Sequence, residues 1–110
     1  KTDARVLMVR IDENLFFGNA EAVAQQLLQA LAQNPAAKQL VLLMSSVSRI
    51  DVTALEMLLH LNEDLQRSDV RLHLAEVKGP VQDQLNESEL PAQLSGTIYL
   101  SAYQAWQALT

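Results

Sequence analysis

The sequence predicts an α/β domain with a mixed, mostly parallel β-sheet of about five strands flanked by about four helices. Three observations support this fold class. Strand-like and helix-like segments alternate along the chain, as they do where parallel strands are joined by helical crossovers. Residues 38–44 are short and almost continuously apolar, which is typical of a strand buried on both faces of a parallel sheet. Residues 20–33 repeat apolar side chains at helical spacing.

The first elements are predicted to form a β-hairpin. The apolar run at 6–11 predicts a strand, the polar residues 12–14 predict a turn, and the apolar residues 15–17 predict a second, antiparallel strand. This strand makes the predicted sheet mixed. Phe16 and Phe17 are expected to fill the core at the end of the strand, with stacking against a ligand as the alternative.

The clearest helix is predicted at residues 20–33, with Asn19 as its N-cap and Pro35 ending it. Its apolar face consists of Ala20, Val23, Ala24, Leu27, Leu28 and Leu31. The buried strand at 38–44 follows, and residues 45–50 then form a loop that leads into a second helix.

The second helix is predicted from Asp51, its expected N-cap, to about Ser68. Its residues divide into three faces when placed about 100° apart. The core face holds Ala54, Met57, Leu58, Leu61 and Leu65. The solvated face holds Thr53, Glu56, His60, Glu63, Asp64 and Arg67. A second apolar flank holds Val52, Leu55 and Leu59. So wide an apolar arc indicates deep burial or contact with a partner. The expected partner surface is Val52, Leu55, Glu56, Leu59 and His60.

The last part of the chain adds two strands and two helices. Residues 70–75 alternate as a strand does, with His73 expected to point outward or to be half-buried. Pro80 is suited to the first position of a short helix that ends near residue 88. A strand at 96–100 precedes a final helix, which begins at the capping box 101–104.

Composition excludes several classes of function. The net charge of −5, with only eight Lys and Arg residues, argues against binding of nucleic acid or of anionic lipid. No apolar run approaches the ~18 residues needed to span a bilayer. There is no cysteine, and His60 and His73 lack a second ligand at metal-binding spacing. The glycines form no phosphate-binding motif, so nucleotide binding is unsupported and no cofactor is expected.

Catalysis is not indicated either. Ser45, Ser46 and Ser48 follow the central strand, where α/β enzymes place active sites, but no nucleophile elbow surrounds them. We expect no catalytic residue and no enzyme, with a small enzyme that uses the 45–51 loop as an alternative.

Thr53 has two interpretations. It is an ordinary Thr in the first turn of a helix, where backbone N–H groups lack helical partners. Alternatively it is a regulatory switch, because a phosphate there would lie near those N–H groups and the positive end of the helix dipole. The candidate regulatory or phosphorylated residues are Thr53, Asp51, Ser46 and Ser48.

Several segments resemble a known family. Residues 51–55 resemble the STAS signature Asp-x-Ser/Thr-Gly/Ala-Leu at the start of a helix. Residues 15–21 are similar to Leu-Phe-Phe-Ala-Asn-Ala-Glu of the SulP anion transporter branch. Residues 47–53 resemble that branch's strand-to-helix loop, and 77–81 resemble its Val-Lys-Gly-Pro-Val. Together these segments resemble the STAS domain of a SulP-family transporter.

The resemblance implies the STAS fold and a regulatory or interaction role for residues 1–110. It implies a C-terminal position behind a membrane unit that transports sulfate, bicarbonate or a related anion, on the cytoplasmic side of the inner membrane. The implied partners are that membrane domain in cis and a soluble regulatory protein or kinase. The short connection at 33–38 is similar to that of bacterial members. Because the sequence begins with Lys1, either trimming or excision of a domain from a longer chain is expected.

The resemblance also implies an alternative, a free-standing signalling protein like the anti-sigma-factor antagonists. In those proteins a partner kinase phosphorylates a Ser at the position of Thr53. Here a Thr stands in its place and Ala54 replaces the usual Gly.

Overall fold

The computed structural model describes residues 3–110, which form four strands and five helices. In chain order the elements are β1 (Val6–Arg10), α1 (Ala20–Ala32), β2 (Gln39–Leu43), α2 (Val52–Arg67), β3 (Arg71–Ala75), α3 (Gly79–Asn86), α4 (Leu90–Gln93), β4 (Ile98–Tyr99) and α5 (Ala102–Leu109). The α/β fold class is therefore confirmed. The short helix α4 was not predicted, because four residues that include a proline carry no helical period.

The four described strands are all parallel and lie in the order β1-β2-β3-β4. The predicted hairpin is wrong. Leu15 instead forms an isolated parallel bridge with Ile50, which precedes α2. The apolar residues at 15–17 thus pair with a segment distant in sequence, and the sheet is parallel where a mixed sheet was expected.

The sheet buries its two faces differently. Leu40, Leu42, Leu72 and Leu74 pack into a large core with α1, α2, α3 and α4. The alternate strand residues, Val6, Val41 and Ala75, pack with Ala105 of α5 in a smaller core. Four helices therefore cover one face, and the eight-residue α5 covers the other.

His73 is buried, so its predicted position outward or half-buried is wrong. Its Nδ1 accepts a hydrogen bond from the backbone N–H of Thr97 (2.9 Å), and its Nε2 lies 2.6 Å from Oε1 of Gln39. Because a backbone N–H can only donate, Nδ1 must be unprotonated and Nε2 donates to Gln39. Both nitrogens of the neutral ring have a hydrogen-bond partner, so the ring can be buried between β2 and β4 without leaving a polar atom unpaired.

Gly96 is required beside this histidine. Its backbone N–H donates to the carbonyl oxygen of Leu72 (3.0 Å). A Cβ at this position would lie 2.3 Å from Nδ1 of His73 and 2.4 Å from that carbonyl oxygen. The chain can therefore approach β3 this closely only with glycine at position 96.

The burial of His73 predicts a loss of stability in mild acid. Burial, with a smaller contribution from the charge of Arg71, lowers the pKa of His73 to about 4. The unfolded chain, with a His pKa near its ordinary value, binds more protons between about pH 4 and 6.5, so the free energy of unfolding falls as pH falls through this window. The contribution reaches at most about 3 kcal/mol. Urea denaturation at several pH values measures it.

The matched control is the exposed histidine on α2. His60→Asn should keep the wild-type pH dependence, whereas His73→Asn should show a shallower one, because Asn cannot take up the proton. Equal slopes for the wild type and His73→Asn would contradict the assignment.

Candidate functional site

Asp51 joins the start of α2 to the loop that precedes α1. Its Oδ1 accepts a hydrogen bond from the N–H of Ala54 (2.9 Å), which confirms the predicted N-cap. Its Oδ2 accepts one from the N–H of Phe17 (2.8 Å). One carboxylate therefore binds two backbone donors that are far apart in sequence, and hydrogen bonds to a charged acceptor are among the stronger ones.

Asn14 makes a second set of contacts between the same two loops. Its Oδ1 accepts hydrogen bonds from the N–H groups of Ser48 (2.7 Å) and Arg49 (3.1 Å). Beside it, the N–H of Leu15 donates to the carbonyl of Arg49 (3.1 Å), and the N–H of Asp51 donates to the carbonyl of Leu15 (3.2 Å). The loop before α1 is thus held against the loop after β2.

Asn19 stands at the predicted N-cap position of α1, but its side chain turns back into the preceding loop. Its Oδ1 accepts from the N–H of Phe16 (3.0 Å). Its Nδ2 donates to Glu13 (2.8 Å) and to the carbonyl of Asn14 (2.7 Å). The side chain stabilises the loop and not the first turn of the helix.

A cleft of about 790 Å³ lies between these loops and the start of α3. Gln84 of α3 closes one side by donating from Nε2 to the carbonyl of Ile50 (2.7 Å). Lys78 donates to the hydroxyl of Ser48 (3.3 Å). Residues 14–16, 48–51 and the start of α3 therefore form one concave surface.

The cleft surrounds the loop that the alternative enzyme hypothesis used. Ser48 lines it, but its hydroxyl oxygen accepts a hydrogen bond from the ammonium group of Lys78. A donor in this position does not withdraw the hydroxyl proton, as a general base would. The arrangement does not activate a nucleophile.

Phe16 and Phe17 are exposed, so their predicted place in the core is wrong. Their side chains are 45% and 76% accessible, and the two rings meet edge to face at 6.2 Å. Leu15 takes the core position, because its bridge to Ile50 turns it inward. Val52, which directly follows Asp51, is also exposed, so apolar side chains crowd the surface at the start of α2.

The candidate regulatory residues occupy different places. Asp51 and Ser48 line the cleft, and Ser46 lies exposed in the turn after β2. Thr53 lies outside the cleft, on the rim of a groove between α1 and α2. The site is therefore two adjoining surfaces separated by the first turn of α2.

The predicted partner surface is divided in the same way. Glu56 and His60 are exposed and line the groove with Thr53. Leu55 and Leu59, in contrast, are half-buried and pack against the main core. Of the expected apolar flank, only the side chain of Val52 is largely exposed.

The role of Asn62 was not predicted from any sequence pattern. This side chain is buried on α2 and donates to the carbonyl of Gln93 (2.9 Å). Its Oδ1 accepts from the N–H (3.0 Å) and hydroxyl (3.1 Å) of Ser95, whose oxygen accepts in turn from the N–H of Leu72 (3.0 Å). The network ties the connection between α4 and β4 to α2.

Within residues 3–110, no three His, Cys, Asp or Glu side chains are grouped so that they could hold a metal ion. In the same part of the chain, every helix is too short or too polar to cross a membrane.

The STAS domain family model matches residues 1–105. A search of curated proteins finds no match. The solved structures that resemble the chain include an anion transporter, a transporter STAS domain and an anti-sigma factor antagonist. The murine Solute Carrier 26 family member A9 anion transporter is 19% identical, with a TM-score of 0.87 over 98% of this chain and 18% of that one. The SulP transporter STAS domain from Vibrio cholerae is 14% identical, with a TM-score of 0.80 over 99% and 84%.

The third structure is the Bacillus cell fate determinant SpoIIAA in its phosphorylated form, an anti-sigma factor antagonist. It is 14% identical, with a TM-score of 0.70 over 100% of this chain and 96% of that one. The three likenesses show that the fold is shared. The chain spans less than a fifth of the murine transporter's length and nearly all of SpoIIAA.

The double contact of Asp51 predicts a measurable cost of its removal. Asp51→Ala should lower the free energy of unfolding by about 2 kcal/mol, because it removes a helix cap and a hydrogen bond to a charged acceptor. Asp12→Ala is the control, since the contact that the structure describes for Asp12 is an exposed ion pair with Arg10. Its loss should change the free energy of unfolding by close to nothing. Chemical denaturation checks both. An equal, small effect of the two changes would contradict the role given to Asp51.

Proposed function

Because the chain belongs to the STAS domain family, whose fold serves regulation and interaction, we propose that it is the regulatory domain of a bacterial SulP-type transporter. The transported substrate would be sulfate or a related anion. The domain would lie on the cytoplasmic side of the inner membrane, C-terminal to the membrane unit. It would act through contacts and not through catalysis.

The convergence of three segments on one cleft carries this proposal. Residues 15–21, 47–53 and 77–81 are the parts that resemble SulP transporters, and they are far apart in sequence. The segment at 47–53 contacts both of the others, through Asp51 with Phe17 and through Ser48 with Lys78. A shared surface is a physical reason for three separate segments to resemble one branch of the family. The likeness to two transporter domains supports the same proposal.

The surface at the start of α2 supports a partner in cis. Phe16, Phe17 and Val52 are exposed apolar side chains that adjoin the cleft. Exposed apolar side chains grouped in this way favour contact with another protein surface. The membrane domain of the same transporter is the partner we propose for them.

The reading frame upstream of Lys1 tests the transporter context. The proposal expects a series of membrane-spanning helices in the same frame. A start codon shortly before Lys1, with no such helices, would contradict it.

The second candidate is a free-standing antagonist of the SpoIIAA type, and such a start codon would support it. The observation that favours it is the likeness of the fold to SpoIIAA, an anti-sigma factor antagonist that has been solved in unphosphorylated and phosphorylated forms. In that case a kinase and a soluble partner protein would replace the membrane domain.

We also propose that Thr53 is a phosphorylated switch. Its side chain is exposed in the first turn of α2, where the N-terminal N–H groups and the helix dipole favour added negative charge. SpoIIAA has been solved in a phosphorylated form. A phosphate on Thr53 would add negative charge to the rim of the groove between α1 and α2.

Anion transport by the full-length protein tests the switch. Thr53→Glu and Thr53→Ala should change the transport rate in opposite directions, because one adds the charge and the other prevents it. Ser68→Glu and Ser68→Ala are the controls at the opposite end of α2 and should leave transport unchanged. Unchanged transport in both Thr53 variants would refute the switch, and mass spectrometry of the native protein would show whether the phosphate is present.

A further inference from the structure

We propose that the groove between α1 and α2 docks a basic amphipathic helix of a partner protein. This inference rests on the proposed role as an interaction domain, and it names the chemistry of the partner. Three features of the groove support the inference: an apolar floor with room above it, an acidic rim, and walls formed by two α-helices whose backbone groups are already hydrogen-bonded.

The floor is apolar because small side chains of α1 face apolar side chains of α2. Ala20 and Ala24 lie one turn apart on α1, opposite Met57 and Leu61 of α2. The small alanine side chains leave a groove of about 420 Å³. Phe17 is 76% exposed and contributes a large apolar side chain at the N-terminal end of α1. The groove can therefore receive large apolar side chains from outside.

The rim is acidic. Glu21 on α1 and Glu56 on α2 line the groove from its two walls, with Asp64 further along α2. Within residues 3–110, no Lys or Arg lines the groove, and the sequence of α1 contains neither. Among the described ion pairs, Asp64 with Arg67 is the one that reaches this rim. Glu21 and Glu56 thus present negative charge on both sides of an apolar floor, which complements a helix with an apolar stripe flanked by Lys and Arg.

The walls favour a helix over an extended peptide. Both walls are α-helices, whose backbone groups are bonded within the helix, so the groove offers no strand edge to pair with. The groove can be filled only by side chains, as when the ridges of a third helix pack between two neighbours. Since α1 has 13 residues and is about 20 Å long, a docked helix would make contact over about three to four turns. The acidic rim disfavours anionic lipid as the occupant.

Titration of the isotope-labelled 110-residue chain with a designed peptide tests the groove by NMR. The probe is a 16-residue amphipathic helix with leucines on one face and lysines on both flanks. A second peptide keeps the leucines and replaces every lysine with glutamate. The lysine peptide should shift the backbone resonances of α1 and α2 that line the groove, and the glutamate peptide should bind at least about tenfold more weakly, because like charges oppose it.

Two matched double variants test the charge. Glu21→Lys with Glu56→Lys reverses both sides of the rim and should weaken the lysine peptide by about tenfold or more. Asp83→Lys with Glu87→Lys makes the same change in net charge at two exposed positions of the α3 region and should bind like the wild type. Circular dichroism confirms that both variants are folded.

Three results would each overturn the proposal: no binding of the lysine peptide, equal loss in the two double variants, or resonance shifts that map outside the groove. If the lysine peptide does not bind in the groove while transport still responds to changes at Thr53, the regulatory role stands and only the partner chemistry is wrong. If transport does not respond to Thr53 but the lysine peptide binds as expected, the docking groove stands without the switch.

Discussion

The carboxylate of Asp51 is the contact on which the functional end of this domain depends. It caps α2 through Ala54 and holds the preceding loop through Phe17, so one side chain sets the position of two elements. Asn14 reinforces the join from the opposite loop by accepting hydrogen bonds from Ser48 and Arg49. The cleft and the exposed aromatic pair have their shape because these loops are held together. This is also why Leu15 pairs with Ile50 and forms no hairpin.

The parallel sheet brings these loops to one end of the molecule. Each strand is followed by a loop at the same edge, so residues that follow β1, β2 and β3 meet there although they are far apart in sequence. The first turn of α2 then separates two surfaces: the cleft beside Asp51 and the groove with an acidic rim beside Thr53. A change of charge at Thr53 would act directly on the groove, whereas it would reach the cleft only through α2. The fold therefore permits two contacts to be regulated separately.

The sequence predicted those features that depend on neighbouring residues. The alternation of strands and helices from residue 20 onward and the caps at Asp51 and Ser101 follow from local patterns, and the structure confirms them apart from the unpredicted α4. The positions of His73, Phe16 and Phe17 were wrongly predicted, since His73 is buried and the two phenylalanines are exposed. They depend on Thr97, 24 residues from His73, and on the bridge from Leu15 to Ile50, which no local pattern shows. Asn14 was missed for the same reason, since its partners lie 34 and 35 residues away. The resemblance located the segments of the site but not their contacts.

Amide hydrogen exchange in the wild type and in Asp51→Ala tests most directly whether one carboxylate joins the two loops. The account predicts that the N–H groups of Phe17 and Ala54 both lose protection, by about tenfold or more, because each loses a hydrogen bond to the same charged acceptor. The N–H of Leu74 in the sheet should lose no more protection than the fall in the free energy of unfolding explains, and it serves as the internal reference for that fall. Loss of protection at Ala54 alone, with Phe17 unchanged, would contradict the account, since Asp51 would then be no more than a helix cap.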